Sequence, residues 1–546
     1  MHHCLSKALA TATAAAITLL PVAPVFGGNK DDSKTATPIK HVVVIFQENV
    51  SFDHYFGTYP HAANLEGETP FRAKEDTPRA NTLEAAGLLT NNPNKRNPFR
   101  IPPSVPVTCD EDHNYNDEQA AFDGGLMDKF VEKLSCTEPA VGPDNAAASV
   151  MGYYDGNTVT AFWNYAQHFA MSDNSFSTTF GPSTPGALNL ISGNTSGATL
   201  VPLTPSGTAA SPNGNIFDGF TTGAIVGDPR PGFDDCVVTN PKLQTTNMVT
   251  VVGKNVGDLL NAKGITWGWF QGGFAPTGAD AKGRAVCGSH HVGLAGDDVQ
   301  KTVGDYIPHH EPFEYYAQTT NQHHLRPSSV AKIGQTDQAN HQYDITDFFD
   351  ALKAGHLPAV SYLKAGAYQD GHAGYSDPID EQIFVVGVIN ALMQSKEWKE
   401  TAVIIAYDDS DGWYDHQMGP IVMQSHGNST DPRLDDQLLG PGNCGTPKAS
   451  DITGGTQNGR CGYGPRQPFL VVSPWAKRNY IDHTVTDLSS ILRFIEDNWN
   501  LGRIGGGSAD AIAGSLTGLF DFDEHGGQGR LILDPQTGTV LDSDSE

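Results

Sequence analysis

His41-Val-Val-Val-Ile-Phe46 runs straight into Gln47-Glu48-Asn49. Apolar residues that follow one another without alternation predict a strand buried on both faces, which is the pattern of a parallel sheet. Three further runs repeat the theme. Thr401-Ala-Val-Ile-Ile-Ala-Tyr407 precedes Asp408-Asp409, Ala359-Val-Ser-Tyr-Leu363 follows Pro358 and leads to Lys364, and Pro468-Phe-Leu-Val-Val-Ser473 is the last. Amphipathic helical patterns lie between them, over Asp380–Ser395 and Leu488–Trp499. Strands alternating with helices predict an α/β fold whose central, mostly parallel sheet is flanked by helices. Ligands bind such sheets beyond the carboxyl ends of the strands, and that is where Glu48-Asn49 and Asp408-Asp409 fall.

Two stretches rich in Gly, Pro and polar residues, Glu66–Ala146 and Ser206–Arg326, read as insertions that cap the sheet. A single domain is expected over 28–520, with an acidic tail over 521–546 that wraps the surface or frays. Residues 1–27 have the layout of a secretory signal peptide: Lys7, then an apolar run from Ala8 to Phe26, then small residues for cleavage. Pro21 and Pro24 interrupt that run, which argues against a membrane-spanning anchor. No later stretch is long and apolar enough to span a bilayer, so a secreted or periplasmic protein without stable membrane insertion is expected.

The formal net charge of −28 argues against nucleic acid as a partner, since counterion release needs an excess of cations. It also disfavours adhesion to anionic membranes. Past residue 27 stand Cys109, Cys136, Cys236, Cys287, Cys444 and Cys461. An even set in an exported chain suggests disulfides, and none has the CxxC spacing of a zinc site. Sequence neighbours are the simplest pairs: 109 with 136, 236 with 287, 444 with 461.

Glu48, Asn49, Asp408 and Asp409 offer hard oxygen donors suited to a divalent cation; adjacent acids at strand ends are equally found solvated or capping a helix. In Gly181-Pro-Ser183-Thr-Pro-Gly186, Ser183 has the look of a helix N-cap. The same geometry presents a hydroxyl beside free backbone N–H groups that attract phosphate. Several of the 20 histidines adjoin acids or glycine: His113, His309, His310, His372, His416 and His483.

Together these segments resemble the bacterial phosphoesterase family of acid phosphatases and phospholipases C, in the alkaline phosphatase superfamily. The matching stretches are HVVVIFQENVSFDHYFGTYP (His41 to Pro60), CDEDHNYNDEQ (Cys109 to Gln119), TFGPSTPG (Thr179 to Gly186) and YIPHHEPFEYY (Tyr306 to Tyr316). They continue with YQDGHAGYSDP (Tyr368 to Pro378), YDDSDGWYDH (Tyr407 to His416) and GYGPRQPFLVVSPWAKRNYIDH (Gly462 to His483). Val50 departs from the family's opening motif, which commonly has Arg after Glu-Asn.

The resemblance implies an alkaline phosphatase-like fold and one divalent metal ion held by Glu48, Asn49, Asp408, Asp409 and Ser183 Oγ. It implies Ser183 as nucleophile, His113 and His372 as catalytic histidines with either as proton donor, and His309 and His310 as substrate-binding residues. Asp415 and His416 are further candidates. The Gly-Pro-Ser-Thr-Pro form, the absence of a twin-arginine signal and the short stretch after His483 resemble the acid phosphatase branch. A secreted, metal-dependent acid phosphatase acting on phosphate monoesters through a phosphoserine is therefore expected. The alternative is a phospholipase C that cleaves phosphatidylcholine-type diesters, for which Trp267, Trp269 and Tyr368 are candidates for an aromatic cage around a quaternary ammonium, although aromatics buried in a core explain them as well.

Overall fold

The computed structural model describes residues 34–134, 136, 148–201, 222–240, 248–293, 303–423, 461–523 and 529–544. The valine-rich run His41–Gln47 (β1) is an inner strand of an eight-stranded sheet. The other strands are Ala170–Ser172 (β2), Trp267–Gln271 (β3), Gln342–Asp344 (β4), Val360–Lys364 (β5), Thr401–Tyr407 (β6), Phe469–Val472 (β7) and Tyr480–Asp482 (β8). Their order is β4-β3-β5-β1-β6-β7-β2-β8. Every pairing is parallel except the two made by β7, which runs against β6 and β2. The expected α/β architecture with a mostly parallel sheet is thus present.

β5 and β6 are buried at every position and β1 at all but its first, as their unbroken apolar runs require. The register Ile45↔Leu363 and Gln47↔Tyr407 brings the carboxyl ends of β5, β1 and β6 to one edge. Lys364 is the last residue of β5, and Glu48-Asn49 and Asp408-Asp409 directly follow β1 and β6.

The helices that matter for the site are Tyr115–Phe122 (α1), Ser183–Ser192 (α2), Ile345–Ala354 (α3), Pro378–Met393 (α4) and Leu488–Trp499 (α5). α4 begins where Asp377 accepts hydrogen bonds from the backbone N–H groups of Ile379 and Asp380, with Pro378 in its first turn. α5 has a reciprocal cap between Asp487 and Ser490 and stops at Asn500, whose φ of 49° suits an asparagine.

The stretch Ser206–Arg326 does not lie wholly outside the sheet, because Trp267–Gln271 is β3, paired on both sides. Its aromatic run packs inward beside Phe313 and Tyr362. The same stretch supplies Arg230–Pro231, a short strand parallel to Met248–Val251 in a separate small sheet. In the tail, Leu531–Leu533 and Val540–Ser543 form an antiparallel pair pinned to α4, where Asn390 Nδ2 donates to the Leu533 carbonyl at 2.8 Å.

Two of the expected disulfides are present, Cys109–Cys136 and Cys236–Cys287. Cys444 and the proposed signal peptide lie outside the described residues. From Thr35 on, the chain forms one compact unit. Among the described residues no helix is long and apolar enough to cross a membrane.

Candidate active site

The hydroxyl oxygen of Ser183 lies 3.0 Å from Glu48 Oε2 and 3.1 Å from Asp409 Oδ2, within hydrogen-bond reach of both. Ser183 is the first residue of α2, the N-cap position belongs to Pro182, and no side chain caps the helix. The hydroxyl therefore does not perform the capping role that its sequence context suggests. It is turned toward acids from two neighbouring strand ends.

These acids are held tightly. Asp408 Oδ1 accepts from the backbone N–H of Asn49 at 3.0 Å, which ties the end of β6 to the end of β1. Asn49 has a φ of 64°, and its Nδ2 donates to Asp411 Oδ1 at 2.9 Å. Asp411 N–H donates in turn to Asp409 Oδ1 at 2.7 Å. Val50 sits in the hydrophobic core, so its departure from the family motif leaves the donor set intact.

Charge balance distinguishes this site from a set of solvated acids. Glu48, Asp408 and Asp409 are all buried. Lys364 Nζ meets Glu48 Oε1 and lies 3.5 Å from Asp408 Oδ2. Burial and then Asp408 push the Glu48 carboxyl well above the usual range, and the same two causes raise Asp409. Burial works against a charge on Lys364, yet Glu48, Asp408 and Asp370 overcome it and raise its pKa. Lys364 and His113 are the cations set against the buried Glu48, Asp408, Asp409 and Asp411, which leaves negative charge to be compensated. Asn49 Oδ1 is buried and has no hydrogen-bond partner. An orphaned amide oxygen beside three carboxylates and a hydroxyl fits a divalent cation with oxygen ligands.

The histidines surround this centre at different depths. His310 Nδ1 is 3.1 Å from Glu48 Oε1, and its ring centroid is 4.4 Å from that of His309. Burial, and then Arg230 for His309 and His309 for His310, hold both rings well below the usual histidine range. His113 Nδ1 lies 2.7 Å from the Glu111 carbonyl and 3.4 Å from Asp411 Oδ1. Burial opposes its protonation, but Asp409, Asp411 and Asp110 prevail and raise its pKa well above normal. His372 faces His113 with centroids 6.4 Å apart, and its Nδ1 is 2.6 Å from the Ala373 carbonyl.

Asp415 and His416 do not join this centre. His416 pairs with Asp53, Arg466 Nε lies 3.1 Å from Asp415 Oδ1, and Arg466 Nη2 lies 3.3 Å from Asp53 Oδ1. A cation already fills that acidic cluster. His483 pairs with Asp173 at 2.7 Å on the surface. Of the three cage candidates, the two tryptophans are core residues. Trp267 and Trp269 are fully buried in β3, with indole N–H groups donating to Asn261 and Gln271.

Several residues escape the sequence reading. Lys364 ends β5 as the acids end their strands, so the same positional signal marks it. Asp370 lies within the Tyr368–Pro378 motif; one ligand atom from each of Glu48, His310 and Asp370 falls within 4.8 Å of the others. Asp228 and Arg230, in the Gly- and Pro-rich stretch, have no signal. Asp228 Oδ1 accepts from the backbone N–H of Thr184 at 2.9 Å, and Arg230 meets His309.

The non-hemolytic phospholipase C of Burkholderia pseudomallei is 25% identical, with the match covering 97% of this chain and 66% of the relative. That of Pseudomonas aeruginosa is 24% identical over 89% of this chain and 57% of its own length. Phospholipase C B of Mycobacterium tuberculosis is 24% identical over 89% of this chain and 78% of the relative. The chain thus spans less than two thirds of the length of the first two. The profile of the phosphoesterase family matches residues 39–502, a range that includes all the strand ends and histidines just described. With the nucleophile candidate, the oxygen donors and the histidines converging inside that range, the chain belongs to the phosphoesterase family.

Proposed function

We propose that the chain is a phosphoric ester hydrolase of phospholipase C type, which opens a lipid phosphodiester by attack of Ser183 Oγ on phosphorus. The observation that carries this reading is the Ser183 hydroxyl poised between Glu48 and Asp409 at the amino end of a helix. A divalent cation held by Glu48, Asn49, Asp408, Asp409 and Ser183 Oγ would supply Lewis acidity toward the nucleophile and a phosphoryl oxygen. The N-terminus of α2 and the histidines offset charge that develops on the equatorial oxygens.

The two remaining catalytic histidines divide the proton work. His113 donates from Nδ1 to the Glu111 carbonyl, which leaves its other ring nitrogen as the position from which a proton goes to the leaving alkoxide. His372 donates from Nδ1 to the Ala373 carbonyl and is held below the usual range by burial. Its other ring nitrogen is then a free acceptor for the water that releases phosphate from the phosphoserine. His309 and His310 bind the transferred group.

The diester reading is supported by relatives whose names are phospholipases C along most of this chain. A second reading, an acid phosphatase acting on monoesters, is favoured by Ser183 within Gly-Pro-Ser-Thr-Pro and by the burial of Trp267 and Trp269 away from any choline cage. Export to an oxidising compartment accompanies both readings and is supported by the two disulfides.

The test is a substrate panel with metal reconstitution, comparing phosphatidylcholine with a soluble aryl monophosphate across pH. The diester reading expects the lipid to be preferred; a strong monoester preference with an acid optimum selects the second reading. Ser183→Ala should abolish both activities, and near-normal turnover by it removes Ser183 from the nucleophile role.

A further inference from the structure

Arg230 stands at the start of a two-residue strand in the small capping sheet and reaches the histidine pair, with Nη1 against His309 Nδ1. Its Nε is shielded from solvent and has no hydrogen-bond partner. A shielded guanidinium N–H left unpaired is costly, and the partners that suit it are anionic oxygens. The corner that holds it also holds the nucleophile. Thr184, next to Ser183, donates its backbone N–H to Asp228 at 2.9 Å and its hydroxyl to the His309 carbonyl at 3.5 Å. The segment Asp228–Arg230, His309 and the first turn of α2 are therefore one bonded unit.

The contact with His309 carries chemical information. A guanidinium has five donors and no acceptor. His309 Nδ1 must then be the acceptor, which leaves the ring neutral with its proton on Nε2. The charges facing Arg230 are Asp228 and Asp234, beside the phenols of Tyr315 and Tyr375.

We propose that Arg230 is a phosphate-binding and positioning residue: its free Nε–H takes a non-bridging oxygen of the phosphoryl group, while Nη1 fixes His309 as the Nε2–H donor to that same group. This rests on the reading of Ser183 as the nucleophile of an ester hydrolase. It gives the capping sheet a part in substrate recognition, since Arg230 arrives from there and not from a strand end of the main sheet.

The experiment compares the full-length wild-type chain with Arg230→Met, Arg230→Lys and Ser183→Ala, each checked for native folding by circular dichroism. Steady-state kinetics are read with the preferred ester and with inorganic phosphate as inhibitor, and the His309 ring by ¹⁵N NMR. Arg230→Met should lower kcat/KM about 10- to 100-fold and weaken phosphate inhibition about 10-fold, as expected for one lost charge-assisted hydrogen bond. It should also shift the ¹⁵N signals of His309 away from a single Nε2–H tautomer. Arg230→Lys, which keeps the charge, should recover part of the phosphate affinity, and it serves as the test if the methionine variant does not fold. Wild-type kcat/KM and phosphate inhibition in both arginine variants, with Ser183→Ala inactive, overturn the Arg230 proposal and leave the nucleophile reading standing. Full activity in Ser183→Ala overturns the nucleophile reading, and the Arg230 proposal falls with it.

Discussion

Gly186 lies so close to the backbone carbonyl of Asp408 that a Cβ at that position would overlap it. The first turn of α2 is pressed onto the carboxyl end of β6, and this contact sets the 3.1 Å separation between Ser183 Oγ and Asp409 Oδ2. Gly186→Ala should force the two apart, at a cost of about 1–3 kcal/mol in stability for an overpacked contact. Turnover should fall more than stability does, since the nucleophile is displaced from its acids. Gly387, in the middle of α4, has open space where a methyl group would stand and is the control. Its alanine variant should gain up to about 1 kcal/mol of helix propensity and keep full activity. Denaturant unfolding and ester turnover measured on both variants check the contrast.

Lys364 is the buried cation that the carboxylates already possess. Lys364→Met would leave Glu48 and Asp408 uncompensated, and breaking a buried pair by removing one partner costs about 3–5 kcal/mol. In metal-free solution the variant should melt well below the wild type. Added divalent cation binds the native state and not the unfolded one, so it should raise the melting temperature of the variant more than that of the wild type. Thermal melts with and without chelator read this directly, and a variant indifferent to divalent cation removes Glu48 and Asp408 from the metal site.

How much of this is readable from the residues depends on how locally each feature is encoded. β1 and β6 are legible to within a residue, because a strand buried on both faces must be apolar at consecutive positions. The acids at their ends stand out for the same reason. β2, β4 and β8 have three residues each, too few for any periodicity to emerge. The reversed direction of β7 is a property of its connections and leaves no mark on Phe469–Val472. Ser183 looks like a cap because the helix start and the phosphate site share one sequence pattern; only the strand ends brought against it separate the two. Trp267 and Trp269 look like cage candidates because an aromatic pair two residues apart is equally a strand face and a binding wall. Arg230 is silent, since its role arises from a fold-back of the capping stretch onto His309.

His416 Nδ1 meets Asp53 Oδ2, and its Nε2 lies 3.1 Å from Asn81 Oδ1. Burial pushes its pKa down, but Asp53 prevails and lifts it above 6.5. Its stabilisation is therefore complete below pH 6.5 and is lost as pH rises through the higher folded value. Burial raises the Asp53 carboxyl, but His416 and Arg466 together hold it below 3.8, so its contribution is present above that pH and fades as pH falls through the lower folded value. Asp415, pushed up to about 6 by burial, adds a cost that grows as pH rises from the ordinary carboxylate value to about 6 and is constant above it. Stability supplied by this cluster should therefore peak near pH 4, decline to about pH 6 as the Asp415 cost accrues, and fall again above pH 6.5 as His416 loses its proton. His416→Gln should cost about 3 kcal/mol near pH 5 and progressively less in alkali, with ester turnover little changed. Urea unfolding across pH measures this; a difference between wild type and variant that stays flat from acid to alkali refutes the pairing.

The Cys236–Cys287 disulfide closes a loop with a sequence separation of 51 and anchors the short helix Asp235–Thr239, which begins five residues after Arg230. That helix is capped by Asp234, which also receives His324 Nε2 at 3.0 Å and the Tyr306 hydroxyl at 2.8 Å. Loop-closure entropy assigns such a crosslink about 4 kcal/mol. The polar cluster around Asp234 survives its loss, so the damage should be confined to the capping stretch while the main sheet stays folded. A Cys236→Ala, Cys287→Ala chain should show faster amide exchange over residues 228–240, with protection in β1, β5 and β6 unchanged. Because Arg230 lies within that stretch, KM for the ester should rise while Ser183 still acquires label from a trapping substrate. Uniform loss of protection across β1 and β6 would instead make the disulfide a support of the whole domain.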